Sequence, residues 1–194
     1  MPDHWAGDDR PLVYVTFGSV AASVPTAAPI YHVALAAVAE LPARVLLTTG
    51  HGGGDLPVPP GPHVHVARWV PQADVLARAS AVVCYGGSGT VLGALTAGVP
   101  LVVTPLFADQ PVNADRIAAV GAGVRVGPRA EGGPTAAVDP TELRQAVERV
   151  LSEPVFAAAA RRLADEIAAL PPVDEAVDVI TAQAGSAAPA PPSG

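Results

Sequence analysis

Apolar positions in this chain fall in short, unbroken, β-branched runs separated by alanine-rich stretches with helical spacing. Leu12 to Thr16 is the first such run and ends in the turn Phe17-Gly18-Ser19. Arg44 to Thr49, His63 to Ala67, Ala81 to Cys84, Leu101 to Thr104 and Val124 to Val126 follow it. Between them the spacing predicts helices over Ile30 to Leu41, about Ala73 to Ala79, from the glycine loop Gly86-Gly87-Ser88-Gly89-Thr90 through Ala97, and about Asn113 to Val120. Strands that are apolar at every position are buried on both faces, and their alternation with helices is the pattern of a parallel sheet covered by two helical layers. A doubly wound α/β domain over residues 11–184 is therefore expected. Its C-terminal third is purely helical. Asp139-Pro140-Thr141-Glu142 combines a capping side chain, a proline at the first helical position and a first-turn acid. Helices are predicted over about Thr141 to Ser152, Pro154 to Leu170 and Asp174 to Ala184, and residues 185–194, made of Gly, Ser, Ala and Pro, read as a disordered tail.

Composition narrows the possible chemistry. The chain has 194 residues, half of them apolar and 15% charged, which suffices for one domain with a sizeable core. A net charge of −7 argues against a nucleic-acid or anionic-membrane surface. Lysine is absent, all 11 basic residues being arginine, so there is no P-loop lysine, no Schiff-base lysine and no kinase strand lysine. Cys84 is the single cysteine and forms neither an internal disulfide nor a multi-cysteine metal site. Met1 to Arg10 is polar, and no apolar run approaches the ~20 residues of a membrane span, so a soluble, cytoplasmic setting is expected.

In a doubly wound sheet, ligands bind beyond the carboxyl ends of the strands. Gly18-Ser19, Tyr85 to Thr90, Thr104 to Gln110, and Trp69 all follow strands and lie at that end. The glycine loop lets backbone approach a ligand, and the helix it opens points bare N–H groups outward, which suits a diphosphate; hydroxyls on Ser88 and Thr90 would add two donors. The same glycines would serve equally as a tight packing turn. The spacing Gly87, Gly89, Gly93 departs from the dinucleotide fingerprint, and Thr48-Thr49-Gly50 offers no acid for a ribose, so NAD is disfavoured. Asp109-Gln110 suits sugar hydroxyls, although an isolated Asp there reads more simply as a helix cap. Trp69 is suited either to base stacking or to filling the core, and composition alone favours the core. His63 and His65 share one strand face, but no third metal ligand is evident, so an edge strand with two exposed imidazoles is expected and no metal site is assigned.

Taken together, Arg68-Trp69-Val70-Pro71-Gln72, Cys84 to Thr90, Ala97-Gly98-Val99-Pro100 and Asp109-Gln110-x-x-Asn113-Ala114, with the lead-in Arg10 to Ser19, resemble the donor-binding half of nucleotide-sugar-dependent glycosyltransferases, in particular the bacterial branch that decorates macrolides and other natural products. The resemblance covers most of Arg10 to Asp178. It implies a Rossmann-like C-terminal half of a GT-B fold, with residues 1–10 as an interdomain linker remnant. It also implies an inverting transfer from a dTDP- or UDP-linked sugar to a small-molecule acceptor. Trp69 would stack on the base, the Val70 backbone would pair with its edge, and Gln72 would complete that side of the donor site. Ser19, Tyr85, Gly87, Ser88, Gly89 and Thr90 would line the diphosphate, and Asp109 and Gln110 would hold the sugar. No cofactor or metal is implied. The catalytic base, usually a His, belongs to an N-terminal acceptor domain, so no catalytic residue is expected in this chain and it should be inactive alone; His4, His32, His51, His63 and His65 fall in no family motif. Two positions depart from the family. Tyr85 stands where a His usually donates to the diphosphate, and Gly93 stands where some relatives place a Glu for the ribose, which favours a deoxyribose donor. The Tyr85 substitution also suits an alternative, a non-catalytic nucleotide-binding or regulatory module that partners a separate protein.

Overall fold

The computed structural model describes residues 2, 5–18, 29–50, 61–127 and 138–186. Its centre is an all-parallel sheet of six strands: β1 (Leu12–Thr16), β2 (Arg44–Thr48), β3 (Val64–Ala67), β4 (Ala81–Cys84), β5 (Leu101–Val103) and β6 (Gly123–Arg125). They lie in the order β3-β2-β1-β4-β5-β6, with Thr16 paired to Thr48 on one side and to Cys84 on the other. The expected α/β class and parallel sheet are thus observed, and the order reverses between β1 and β4, opening a crevice there at the carboxyl ends.

Alternation along each strand divides the core in two. Val13, Val15, Val45, Leu47 and Val83 face a layer containing α1 (Pro29–Val38) and α5 (Pro140–Ser152), where Ile30, Leu143 and Val147 are buried against them. Leu12, Tyr14, Leu46, Val82 and Cys84 face the opposite layer of α2 (Gln72–Leu76), α3 (Ser88–Thr96) and α4 (Gln110–Ala119). Trp5 joins that second cluster, 4% exposed, with its Nε1 donating to Pro62 O, so the segment expected as linker is anchored to the domain. Helices α6 (Pro154–Ala168) and α7 (Val173–Ser186) complete the chain. α7 continues two residues into the expected tail; the rest of that tail lies outside the described residues.

Boundaries shift where local chemistry overrides periodicity. α4 begins at Gln110, three residues before the predicted Asn113, because Pro111 sits in the first turn, where a missing N–H leaves no hydrogen bond unmade. α5 starts as read: Asp139 accepts from Thr141 N at 2.8 Å. β6 begins at Gly123, where a Cβ would lie 2.0 Å from Leu101 O, so only glycine lets the strand close on β5. His63, just before β3, and His65, within it, are half-buried, a correction to the exposed pair expected. His63 Nε2 lies 3.2 Å from Val38 O and precedes the strand, while the His65 ring packs edge-on against Trp5 at 6.2 Å. Among the described residues no cluster of metal-ligating side chains occurs, and no helix is long and apolar enough to cross a membrane.

Candidate functional site

The crevice at the strand-order reversal is a cleft of ≈ 320 Å³. Its walls bring together Gly18, Trp69, Val70, Gln72, Tyr85, Gly87, Ser88, Gly89 and Thr90, from the three segments that follow β1, β3 and β4. Tyr14, Thr16, Thr48 and Arg68 also line it and were not anticipated; the Tyr14 hydroxyl lies 3.2 Å from Thr48 Oγ1. A larger hollow of ≈ 470 Å³ lies near α2, over Leu46 and His65, and includes none of the glycine loop. Ser19 lies outside the described residues.

α3 begins at the wall of the cleft. Its N-cap is Gly87, which contributes no capping side chain, and the first bond into the helix is Val91 N to Gly87 O at 3.0 Å. The backbone N–H groups of Ser88, Gly89 and Thr90 therefore have no partner among the described residues and open on the cleft, with the positive end of the helix behind them. The two readings of the glycine loop now separate residue by residue. A Cβ at Gly87 would fall 2.4 Å from the Tyr85 ring, so Gly87 is required by packing. A Cβ at Gly89 would meet nothing within 4 Å, so packing does not require that glycine.

Side-chain roles also sort themselves. Ser88 Oγ donates to Asp109 Oδ2 at 2.9 Å, so its hydroxyl proton is not available to a ligand and its backbone N–H is what faces the cleft. Thr90 Oγ1 accepts from Gln72 Nε2 at 3.3 Å and keeps its own proton free to donate. Trp69 is 65% exposed, which excludes the core-filling role that composition favoured. The Val70 N–H and C=O make no hydrogen bond among the described residues, leaving both edges open.

Tyr85 is wedged between glycines: a Cβ at Gly18 would lie 2.3 Å from its hydroxyl oxygen. Burial, helped by Cys84 and Asp109, pushes its phenol above the ordinary tyrosine range, so it faces the cleft as a neutral donor. Cys84, fully buried, is pushed up to about 12 and remains a packed thiol.

Asp109 and Gln110 lie outside the cleft lining, Asp109 being joined to it through Ser88. Although Asp109 is the N-cap residue of α4, its carboxylate makes no capping bond. It accepts instead from Ser88 Oγ and from the Asn113 side chain one turn along α4, and those two bonds hold its pKa below the ordinary value. The simple capping reading of Asp109 therefore does not describe it. Gln110 is 3% exposed and its Oε1 accepts from Leu106 N and Phe107 N, so only its Nε2 remains for a ligand. Asn113, to which the sequence assigns no role, stands four residues after Asp109, one helical turn away, a spacing from which its contact with Asp109 could have been found.

Relatives place this chain in a family. Residues 32–182 match the model for the erythromycin biosynthesis protein CIII-like C-terminal domain. The chain is similar to elloramycin glycosyltransferase ElmGT of Streptomyces olivaceus, 48% identical over 122 residues that make up 62% of this chain and 28% of that protein. It is also similar to the 4'-demethylrebeccamycin synthase of Lentzea aerocolonigenes, 36% identical over 92% of this chain and 40% of that protein. Among solved structures it resembles the spinosyn rhamnosyltransferase SpnG complexed with thymidine diphosphate, with a TM-score of 0.73, 29% identity, and coverage of 93% of this chain and 48% of that one. The chain thus spans less than half the length of each of these relatives. Its sheet, helical layers and motif order are those of a GT-B C-terminal half, and the chain belongs to the erythromycin biosynthesis protein CIII-like C-terminal domain family, the C-terminal domain of natural-product glycosyltransferases.

Proposed function

We propose that this chain is the donor-binding half of an inverting glycosyltransferase, holding a dTDP- or UDP-linked sugar while a separate N-terminal half binds a small-molecule acceptor and supplies the base. The observation that carries this reading is the uncapped N-terminus of α3 opening on the same cleft as the exposed Trp69. An aromatic face for a base and bare N–H groups for a diphosphate stand together at the strand-order reversal. In the reaction, an acceptor hydroxyl gives its proton to the absent half's base and attacks the anomeric carbon, and the bond to the diphosphate breaks with inversion. Charge grows on the departing diphosphate oxygen, and fixed N–H groups with the Tyr85 hydroxyl stabilise it there without reorganising. Trp69, Val70 and Gln72 orient the nucleoside; Asp109 Oδ1 and Gln110 Nε2 receive the sugar. The mechanism calls on no metal or other cofactor.

Calorimetric titration of the chain with dTDP, UDP and NADH tests this. Saturable binding of dTDP or UDP, without NADH binding and without sugar transfer by the chain alone, is the expected result. Transfer by the chain alone would refute the division of labour, and a folded chain that binds neither nucleotide would refute the donor site. The neutral Tyr85 phenol, wedged where the family's His donates, favours one alternative, a non-catalytic nucleotide-binding or regulatory module that partners a separate protein. Transfer on addition of an acceptor half from a relative would exclude it.

A further inference from the structure

We propose that Asn113 is a positioning residue that ties the Asp109 carboxylate to the glycine loop, so that the sugar and the diphosphate of a bound donor are met by one rigid unit; this rests on the donor-binding reading above. Asn113 lies in α4, one turn after Asp109, and its Nδ2 donates to Gly86 O at 3.0 Å and to Asp109 Oδ2 at 2.9 Å. A side chain with two protons on one nitrogen is what bridges two acceptors; a carboxylate has none and a hydroxyl has one. Ser88 Oγ donates to the same Oδ2, so that oxygen is doubly held while Oδ1 has no side-chain partner among the described residues and stays open to a ligand.

Both ends of the link are fixed independently. On the Gly86 side, a Cβ would strike Val103 Cγ1 at 2.8 Å and Gln110 O at 3.2 Å, so the loop is seated directly on the start of α4. On the Asp109 side, Gln110 Oε1 accepts from Leu106 N and Phe107 N and closes the turn in which Ala108 holds φ 57°, the sole non-glycine left-handed residue among those described. The Asp109 backbone is thus set by the turn before it. Its carboxylate, exposed and free to rotate in isolation, is set by Asn113 and Ser88. Removing Asn113 leaves the carboxylate held by Ser88 alone and the Gly86 carbonyl without its side-chain donor, with the turn and helix in place.

The test compares the chain with Asn113→Ala and Asn113→Ser. Carboxyl ¹³C NMR titration reads Asp109 directly, and calorimetry with dTDP and a dTDP-hexose reads the gain in affinity that the sugar confers. In Asn113→Ala the Asp109 titration moves up toward the ordinary carboxylate range and the sugar-dependent gain falls roughly fivefold, the size of one lost hydrogen bond. Asn113→Ser, which retains one donor, falls between. On an Asp109→Ala background Asn113→Ala produces no further loss of the sugar-dependent gain. An unchanged Asp109 titration, or an unchanged gain in a variant with the wild-type melting temperature, overturns the proposal. A folded wild-type chain that binds neither ligand overturns the donor reading instead, and the titration then judges the link alone.

Discussion

Gly89→Ala is the substitution that most sharply divides a ligand site from a packing turn. Gly89 is exposed in the first turn of α3, and a Cβ built there meets nothing within 4 Å. Alanine loses less backbone entropy than glycine and favours helix by about 0.5–1 kcal/mol. The free chain should therefore melt no lower than wild type, and as much as about 4 °C higher for a domain of this size. The same methyl projects into the space through which the Ser88, Gly89 and Thr90 N–H groups would reach an anion. Forcing a diphosphate off one such charged hydrogen bond costs about 1.5–3 kcal/mol, a loss of roughly 10- to 150-fold in dTDP affinity. Differential scanning calorimetry and nucleotide titration on the same sample check both halves. Unchanged affinity would show that no diphosphate sits at this helix, and a lower melting temperature would show that the fold, rather than a ligand, needs the glycine. Gly87→Ala is the control: its Cβ would fall 2.4 Å from the Tyr85 ring, so it destabilises the free chain.

Other outcomes follow from the same geometry. Trp69→Ala, at a residue 65% exposed, leaves the melting temperature essentially unchanged but weakens nucleotide binding by about 1–3 kcal/mol, the worth of one base–aromatic stack; calorimetry reads both. Tyr85→His retains or increases dTDP affinity at pH 6 and makes it fall as pH rises through the imidazole range near ~6.5. Wild-type affinity shows no such step from Tyr85, because burial holds its phenol above the ordinary tyrosine range. A step of equal size in both proteins would refute that assignment. Asp109 is held low by Ser88 and Asn113, so the stabilisation it draws from them is fully present above the ordinary Asp range and is lost as pH falls through its lowered value. The affinity gain from the sugar accordingly persists at pH 5, and its loss by pH 5 would contradict the two hydrogen bonds. Leu143→Ala, at 1% exposure between α5 and the sheet, costs about 2–5 kcal/mol in chemical denaturation, and a cost below about 1 kcal/mol would show that α5 is not packed as described.

Burial periodicity is a local property, and for that reason it was legible in the sequence. The apolar runs of β1, β2, β4 and β5 made the parallel sheet readable because strands covered on both faces are apolar through their centres, with polar residues left to their ends. The cap at Asp139 was readable because it bonds two residues away, and the order of the glycosyltransferase motifs was readable because it follows the chain. Side-chain direction in the loops is a different kind of quantity, set by contacts between distant parts of the chain. Composition turned Trp69 inward and the fold leaves it exposed; Gln110 was assigned wholly to a sugar and its carbonyl closes its own turn instead. Ser88 reaches Asp109 across 21 residues, and Tyr85 meets Gly18 only because β1 and β4 are neighbours where the strand order reverses. The sequence alone therefore determined which segments are strands and helices and which end of the sheet carries the chemistry. Which donors and acceptors remain free for a ligand was decided only by tertiary structure, because a hydrogen-bonding group is available only after every protein partner within reach has been satisfied.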